Sequence, residues 1–374
     1  MRAPNDLQAE SAQMAQRQTS LVQRPDGQWP PVASQIHPIP DTKGPYDVLI
    51  RVCAVALNPT DYKMPSYHPV PGAILGCDFM GVVVSAGPEV DNAPPGTRLC
   101  GPIYGSNPGN PASGAFTEYL VQDVRLCLRV PDAWNDLEGA ALGGIGWATV
   151  GLTMEDSLKL TGIPSKPAPL REDGTRIPVL VYGGATATGT MACQLLASSG
   201  YDPIATASPA SSALVKKYGA VRTVPYSSPT CGETIKDITK GTLRQALDCI
   251  TTPESVDCCF KALGRVGARY ASLEYAPDEW RTRKAVKMDM PMTYVVMGQE
   301  VKLTGAYHRD ADPAKFELGV RWRQEVQTLL DEGRLKCHPV REVPGKWDGI
   351  VQGLEMLKTG QVRGQKLVVR IGNA

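Results

Sequence analysis

Apolar positions in the second half of the chain follow two alternating patterns. Residues 179–182 form a short apolar, β-prone run, and residues 188–199 carry Met191, Leu195 and Leu196 at helical spacing. Further β-prone runs, mostly separated by helical segments, lie near residues 203–207, 221–226, 245–249, 268–273 and 301–306. The alternation predicts an α/β fold with a doubly wound parallel sheet of six strands.

The first part of the chain has a different pattern, in which short β-prone runs alternate with turns rich in glycine, proline and asparagine. The runs fall at residues 47–56, 81–86 and 116–121 and predict a β-rich domain. The other predicted elements are helices at residues 138–160, 314–332 and 347–358 and strands at residues 337–343 and 366–371.

The length of the chain and the positions of its prolines predict the division into domains. A chain of 374 residues suits two domains, and the four prolines within residues 163–178 are typical of a surface connection. We therefore predict a polar extension at residues 1–20, a β-rich domain at residues 21–160 and an α/β domain at residues 161–307. Residues 308–374 are expected to complete the β-rich domain.

Composition narrows the function classes. Hydrophobic residues make up 42% of the chain and the net charge is +1, which argues against a nucleic-acid surface. No apolar run reaches about 18 residues, and residues 1–20 are polar without a signal core, so we expect a cytoplasmic protein and no membrane partner. The ten cysteines form no C-x-x-C pair and are expected to be reduced core thiols.

A glycine-rich turn connects the first strand of the α/β domain to its helix. The sequence Y-G-G-A-T-A-T-G spans residues 182–189, where Gly183 permits a tight turn and Gly189 close packing of helix on strand. Thr186 holds the middle position, and Ala185, Thr186, Ala187 and Thr188 are expected to face a pyrophosphate. An ordinary βα turn without ligand and a methyltransferase-type nucleotide fold are the alternatives.

The residue that follows the second strand indicates which dinucleotide is bound. Folds that select NAD place an acid about twenty residues beyond the glycine-rich turn, but here that place is held by Ser208. Hydroxyls of Ser208, Ser211 and Ser212, with the charge of Lys216 or Lys217, would accept a 2′-phosphate. We therefore predict NADPH as the cofactor, bound in part by Ser208, Pro209, Ala210 and Ser211.

Two further strand ends are candidate cofactor contacts. Tyr226 ends the third strand and could stack on adenine, with an ordinary core aromatic as the alternative. Leu273 and Glu274 lie at the end of the fifth strand, where nicotinamide-domain backbones commonly meet the ring.

Several ordered motifs in the first half resemble a known family. They are V-A-L-N-P-T-D-Y-K (55–63), L-G-C-D-F-M-G-V-V (75–83), P-G-T-R-L (95–99) and G-A-F-T-E-Y (114–119). In register, they resemble the N-P-x-D, G-x-D-x-x-G, G-D-R-V and G-A-F-x-E-Y segments of medium-chain dehydrogenases/reductases. The resemblance runs from about residue 47 to residue 371 and implies a GroES-like catalytic domain joined to a Rossmann NADPH-binding domain.

Within that family the chain resembles the trans-acting enoyl reductases of fungal highly reducing polyketide synthases, of the lovastatin-pathway type. Four stretches carry this resemblance: Y-G-G-A-T-A-T (182–188), Y-D-P-I-A-T-A-S-P (201–209), A-L-D-C-I-T (246–251) and G-Q-K-L-V-V-R (364–370). It implies hydride transfer from NADPH to the β-carbon of an α,β-unsaturated polyketide thioester. The substrate would be carried by the acyl carrier protein of a partner polyketide synthase or synthase–peptide synthetase hybrid. A free-standing quinone or small-enone reductase and a non-catalytic NADPH-binding protein are the alternatives.

The positions where zinc-dependent relatives hold their metal have changed. Asn58 stands where such a relative has cysteine, and Gly76-Cys77-Asp78 stands where it has G-H-E. Cys77 and Asp78 alone cannot form a three-ligand catalytic site, and none of the four histidines has a ligand at useful spacing. We therefore predict no metal, and an acceptor already activated by conjugation.

The resemblance also implies the catalytic residues. Lys63 and Thr149 are expected beside the nicotinamide ribose, with Asn58 and Asp61 shaping the same loop. A solvated lysine, a helix-packing threonine and an Asx-turn aspartate are the respective alternatives for Lys63, Thr149 and Asp61. Tyr67 is the candidate proton donor, with solvent as its rival. The cofactor-binding set also includes Tyr62, Met64, Arg363 and Gly364.

An acyl pocket is predicted from flexible apolar side chains. Residues 288–298 are rich in methionine, tyrosine and valine and could form its wall, although a core strand or a subunit-interface strand is equally consistent. The candidate substrate residues are Thr149, Val150, Met154, Tyr294, Val295, Val296, Met297 and Gly298.

Overall fold

The computed structural model describes residues 16–372, and its strands and helices follow the predicted two-part pattern. The strands are β1 (Ser20–Val22), β2 (Val32–Ser34), β3 (Asp47–Ala56), β4 (Asp78–Ala86), β5 (Arg98–Pro102), β6 (Tyr119–Asp123), β7 (Leu128–Arg129), β8 (Ile177–Tyr182), β9 (Tyr201–Thr206), β10 (Arg222–Val224), β11 (Gln245–Asp248), β12 (Arg269–Ser272), β13 (Lys287–Asp289), β14 (Val340–Glu342) and β15 (Lys366–Arg370). The α-helices are α1 (Thr60–Tyr67), α2 (Asp136–Leu142), α3 (Ile145–Leu152), α4 (Ala187–Ser198), α5 (Ser212–Lys217), α6 (Cys231–Ile238), α7 (Pro253–Ala262), α8 (Pro313–Asp331) and α9 (Lys346–Lys358).

The chain divides into two compact units. The first holds the described residues up to Gly143 together with Glu342–Thr359 and the chain from Leu367 onward, and the second holds Gly144–Arg341 and Gly360–Lys366. This division differs from the boundaries predicted at 160/161 and 307/308. The reason is packing, because a Cβ on Gly151 of α3 would lie 2.5 Å from Trp322 of α8, so both helices belong to the second unit.

Residues 18–20 are packed within the first unit. The side chain of Gln18 is 2% exposed and that of Ser20 is fully buried, with the Ser20 hydroxyl 2.7 Å from that of Thr117. This differs from the predicted polar extension at residues 1–20, whose first fifteen residues lie outside the described part of the chain.

A seven-stranded sheet organises the first unit. Its order is β14-β15-β3-β4-β5-β7, and β6 also pairs with β3. The central pair, β3 and β4, is antiparallel, and its register sets Ala56 opposite Asp78. The loop that follows β3 therefore begins beside the first residue of β4, which brings residues 58–61 close to Cys77 and Asp78.

The second unit is built on a six-stranded parallel sheet. Its order is β10-β9-β8-β11-β12-β13. Strands β9 and β10 therefore lie on one side of β8, and β11, β12 and β13 lie on the other. The doubly wound sheet is confirmed. In such sheets ligands bind at the carboxyl ends of the strands where the order reverses, which is here between β8 and β11.

The sixth strand of this sheet lies elsewhere than the prediction put it. The sheet ends with Lys287–Asp289, whereas the predicted strand at residues 301–306 contributes only an isolated bridge from Val301 to Arg309. A three-residue edge strand with two charged residues gives too little apolar pattern to detect. Gly305, at φ +61°, turns the chain within the predicted strand.

The predicted helix at residues 138–160 is interrupted. Helix α2 ends before Gly143, which has φ +48° and whose Cβ would lie 2.5 Å from the Asp78 carboxyl carbon. The chain restarts as α3 and continues into a π-helical turn at Thr153–Ser157. Glycine is needed at position 143 both because φ is positive and because a side chain would clash with Asp78.

Candidate functional site

The glycine-rich turn presents the start of α4 at the carboxyl end of β8. Gly183 has φ +79°, and a Cβ on Gly189 would lie 2.3 Å from the Gly183 carbonyl oxygen, so the helix packs directly on the turn. The Thr186 hydroxyl donates to the Gly183 carbonyl at 2.9 Å and accepts from the Gly189 amide at 2.9 Å. Thr186 is thus the helix cap, and the amides of Ala187 and Thr188 have no acceptor within the helix. They fit a pyrophosphate, which the helix dipole also favours.

The hydroxyl cluster predicted beyond β9 is present. The Ser208 hydroxyl accepts from the Ser211 amide at 3.3 Å and lies 3.1 Å from the Ser211 hydroxyl. The Ser212 and Thr223 hydroxyls are 2.6 Å apart, and Lys216 follows Ser212 by one helical turn on the same face of α5. The exposed residues Pro209 and Ala210 complete the turn. Hydroxyls and cations, with no carboxylate in residues 208–217, suit a phosphate monoester.

Other predicted cofactor residues converge on the same edge of the parallel sheet. Tyr226, two residues beyond β10, is 45% exposed. The Leu273 amide donates to the Asp248 carbonyl at 3.2 Å, and the Tyr307 hydroxyl donates to the Glu274 carboxylate. A Cβ on Gly364 would lie 3.6 Å from Leu214 of α5, which brings the segment with Arg363 beside the hydroxyl cluster.

One loop at this edge was not predicted from the sequence. Residues 249–252 follow β11, and Ile250 is 42% exposed although it is large and apolar. A Cβ on Gly183 would lie 2.8 Å from the Ile250 side chain. The sequence signal for this loop is Asp248, a carboxylate at the carboxyl end of an apolar strand.

In the first unit, four buried polar side chains form a hydrogen-bonded cluster where β3 and β4 meet. The Asn58 side-chain amide donates to Asp78 at 2.8 Å and contacts the Cys77 sulfur at 3.6 Å. The Cys77 thiol donates to Asp61 Oδ1 at 2.9 Å, and Asp61 Oδ2 accepts from the backbone amide of Asn58 at 2.8 Å. The exposed fraction of each of the four residues is 9% or less.

This cluster is poorly suited to a metal. An amide N–H lies between Cys77 and Asp78, and the thiol donates a hydrogen bond, whereas a ligand would be a thiolate. Within residues 16–372, no three His, Cys, Asp or Glu side chains are grouped so that they could hold a metal ion.

The first-unit cofactor and catalytic candidates lie along helix α1, which Asp61 helps to start. Tyr62 and Lys63 are half-buried and Met64 is buried, so the three occupy one turn with different environments. Tyr67 lies in the last turn and is 54% exposed. Its side chain is therefore accessible to water.

In the second unit, Thr149 and the predicted acyl-wall segment lie together. The Thr149 hydroxyl is 2.5 Å from that of Thr293, which begins a 3-10 turn at Thr293–Met297. The neighbouring candidates Val150, Met154, Tyr294, Val295 and Val296 are each at most 6% exposed, and Met297 and Gly298 are half-buried. Within this segment, residues 288 and 289 belong to the edge strand β13, and Thr293–Met297 form the 3-10 turn.

Comparison with known proteins agrees with these two units. Residues 44–132 match the alcohol dehydrogenase GroES-like domain. The crystal structure of CurK enoyl reductase has the same fold, with a TM-score of 0.69 at 16% identity, covering 95% of this chain and 98% of that one. A GroES-like unit joined to a doubly wound nucleotide-binding unit defines a medium-chain dehydrogenase/reductase, as the sequence motifs indicated.

Relatives in sequence identify the family within this class. The chain is 45% identical to trans-enoyl reductase calK of Penicillium decumbens, over 95% of this chain and 98% of the relative. It is 44% identical to trans-enoyl reductase sthE of Phaeosphaeria nodorum, over 96% and 98% respectively. The chain therefore belongs to the trans-enoyl reductase family, and the predicted family membership is confirmed. Membership implies a nicotinamide cofactor, which the glycine-rich turn fits. None of the helices in residues 16–372 combines the length and apolar character that crossing a membrane requires.

Proposed function

We propose that this protein is a trans-acting enoyl reductase that uses NADPH to reduce an α,β-unsaturated polyketide thioester. The substrate is carried by the acyl carrier protein of a partner polyketide synthase or synthase–peptide synthetase hybrid. The observation that carries the proposal is the identity of 44–45% to trans-enoyl reductases along nearly the whole chain. All ten cysteines are free thiols, which agrees with a place in the reducing cytosol.

The preference for NADPH over NADH rests on the end of β9. Ser208 occupies the position where an acid would hold a ribose diol, and its hydroxyl lies within a turn of four neutral residues. Ser211, Ser212 and Lys216 add two hydroxyls and a positive charge that a 2′-phosphate would attract. Tyr226, Arg363 and Gly364 complete the adenosine end of the proposed site.

The reaction needs few groups from the protein. The bound nicotinamide supplies a hydride to the β-carbon of the conjugated thioester. Lys63 and Thr149 are proposed to orient the nicotinamide ribose, and Leu273 and Glu274 to hold the ring from the end of β12. A few fixed hydrogen-bond donors, or the hydroxyls of the coenzyme ribose, would stabilise the negative charge that develops on the thioester oxygen.

A proton must then reach the α-carbon. Tyr67 is the proposed donor, with solvent as the rival, and its exposed fraction of 54% means that water reaches its side chain. A Tyr67→Phe variant separates the two sources, because only donation by tyrosine makes kcat depend on that hydroxyl.

The acyl chain is proposed to lie against the segment joined to Thr149. Tyr294, Val295, Val296, Met297 and Gly298 form one side, and Val150 and Met154 the other. Their apolar character suits chains of varied length, and methionine adapts to varied shapes.

The proposal is tested by comparing substrates side by side. Purified protein with NADPH would be given an enoyl thioester on an acyl carrier protein, the same acyl group on a small thiol, and a free enone or quinone. We expect the carrier-bound thioester to have the highest kcat/KM. Equal rates on free enones would instead indicate a free-standing enone reductase, and tight NADPH binding without turnover of any acceptor would indicate a non-catalytic protein.

A further inference from the structure

The loop at residues 249–252 forms one side of the glycine-rich turn. The Cys249 amide donates to the Tyr182 carbonyl at 3.0 Å, and the Cys249 thiol hydrogen-bonds the Thr186 side chain. A Cβ on Gly183 would lie 2.8 Å from Ile250, so the loop packs directly on the turn. Any movement of this loop would change the surface that faces the amides of α4.

The backbone of this loop is strained. Thr251 has φ +62°, a conformation that β-branched residues rarely adopt and that costs on the order of 1–3 kcal/mol. Glycine would take the same φ without this cost, yet the chain has threonine. Such residues persist where the surroundings hold them, and they concentrate at ligand-binding and catalytic sites.

Asp248 is the group that holds the strained residue. Its Oδ1 accepts from the amides of Ile250 and Thr251 at 2.9 and 3.0 Å. Its Oδ2 accepts from the hydroxyls of Ser255 and Tyr270 at 2.5 and 2.8 Å. Since every partner donates, the arrangement fits an ionised carboxylate with both oxygens fully occupied.

Burying the ionised Asp248 carboxylate has a free-energy cost, so its presence at this position calls for a structural or functional reason. Asp248 is fully buried, and burial raises its pKa while the hydrogen bonds from Ser255 and from the loop amides oppose that rise. All four donors are neutral, so the negative charge has no directly paired cation. Thr252 and Ser255 already cap α7 reciprocally, so starting the helix does not require the aspartate.

The strained turn points Ile250 outward at the ligand-binding edge. Ile250 is 42% exposed, and a Cβ on Gly183 would lie 2.8 Å from its side chain, so the exposed part of Ile250 lies beside the glycine-rich turn. We propose that Asp248 is a positioning residue: its carboxylate holds residues 249–252 in a strained turn and so fixes Ile250 as an apolar wall against the coenzyme at the glycine-rich turn. This inference rests on the proposed function, because that function supplies the coenzyme.

The test compares Asp248→Asn with the wild-type protein in two measurements. Asparagine is neutral and keeps one acceptor oxygen where the carboxylate has two, so the loop amides and the Ser255 and Tyr270 hydroxyls can no longer all bond to a charged acceptor, and the bonds that hold the loop weaken. Below the unfolding temperature of both proteins, we expect the Kd for NADPH to rise about tenfold, as for loss of one hydrogen bond to a charged group. We also expect hydrogen exchange at the amides of Ile250 and Thr251 to quicken without coenzyme.

Two further variants separate positioning from stability. Ile235→Val removes one methylene from the apolar cluster of the same unit and leaves the loop alone, so Tm should fall while the Kd stays at the wild-type value. Thr251→Gly, added to Asp248→Asn, lets the chain keep φ +62° without a side-chain clash. The double variant should bind NADPH about threefold more tightly than Asp248→Asn alone. Relief of roughly half of the strain would give a change in Kd of this size.

If Asp248→Asn lowers Tm but keeps the wild-type Kd and amide exchange, the positioning role is overturned. Should that variant not fold, Tyr270→Phe removes one donor to the same carboxylate and should weaken NADPH binding about threefold, the effect of a neutral hydrogen bond; an unchanged Kd there also overturns the inference. A wild-type protein that binds no nicotinamide coenzyme would instead overturn the proposed function and this inference with it.

Discussion

At the scale of single residues, the proposed preference for NADPH rests on one hydroxyl, that of Ser208, in place of a carboxylate. Ser208 caps the turn after β9 by accepting from the Ser211 amide, a role that aspartate performs equally well. A substitution there therefore changes the charge of the site with little effect on the local fold.

We expect Ser208→Asp to weaken NADPH binding about tenfold or more, because a carboxylate within about 4 Å of a phosphate repels it by 1 kcal/mol or more. NADH has no 2′-phosphate, and its binding should change less. Fluorescence titration of both coenzymes gives the ratio, with Ser208→Ala as the control for loss of the hydroxyl. An unchanged preference would refute the proposed phosphate site.

A second residue makes stability depend on pH. His338 is 8% exposed, its Nδ1 lies 2.9 Å from the Thr190 hydroxyl, and burial, with a smaller effect of Lys366, lowers its pKa to about 4. Between about pH 6.5 and pH 4 the unfolded chain binds a proton that the folded protein does not. Folding therefore loses stability as the pH falls through this window, by at most about 3 kcal/mol.

We expect His338→Gln to flatten the dependence of the unfolding free energy on pH between about 6.5 and 4, measured by urea unfolding at several pH values. The control for loss of a histidine at an exposed position is His308→Gln. The same slope in both variants would show that His338 does not titrate differently on folding.

At the scale of elements, the contact between α4 and the glycine-rich turn is the part of the site most sensitive to added volume. A Cβ on Gly189 would lie 2.3 Å from the Gly183 carbonyl oxygen and 2.8 Å from the Gly184 Cα, both of which are backbone atoms. Backbone cannot move aside as a flexible side chain would, so helix and turn must separate.

We expect Gly189→Ala to lower the unfolding free energy by about 1–3 kcal/mol or more and to weaken NADPH binding in parallel. Gly146→Ala is the matched control, since its Cβ would meet nothing within 4 Å and alanine favours a helix by up to about 1 kcal/mol. Thermal unfolding and coenzyme titration of both variants test the expectation. Equal stability of the two would mean that the helix tolerates separation from the turn.

Sequence pattern predicted the long, regularly spaced elements and missed those fixed by distant contacts. The strand at residues 47–56 agrees with Asp47–Ala56, and the helix at 347–358 begins one residue earlier in the structure. The short edge strand Lys287–Asp289 was missed because its pattern is polar. The break at Gly143 was missed because it depends on Asp78, which lies far away in the sequence.

The same distinction holds for the candidate site. The glycine-rich turn and the serine cluster are local in sequence, and the structure has both. The cluster of Asn58, Asp61, Cys77 and Asp78 required two loops to meet, and only its separate motifs were visible beforehand. The strained turn at Thr251 has no sequence signature, since φ depends on hydrogen bonds from groups as distant as Tyr270.

At the scale of the whole molecule, the proposed reduction proceeds without a metal. Where zinc-dependent relatives place ligands, the first unit has an amide hydrogen-bonded between a thiol and a carboxylate. We expect protein dialysed against a strong chelator to keep its kcat within about twofold. A catalytic metal would stabilise the transition state by several kcal/mol, so its removal would lower kcat far more than that. Elemental analysis should find far less than one zinc per chain. Activity lost to chelation and restored by zinc would contradict a metal-free reaction.

The most direct measurement of the central claim follows the hydride itself. NADPH deuterated at the transferred position of C4 would be mixed with the protein and an enoyl thioester on an acyl carrier protein, and the released acyl chain analysed by mass spectrometry. We expect one deuterium at the β-carbon and ordinary hydrogen from solvent at the α-carbon. A product without deuterium, or no reduced product despite bound NADPH, would contradict the proposed enoyl reductase.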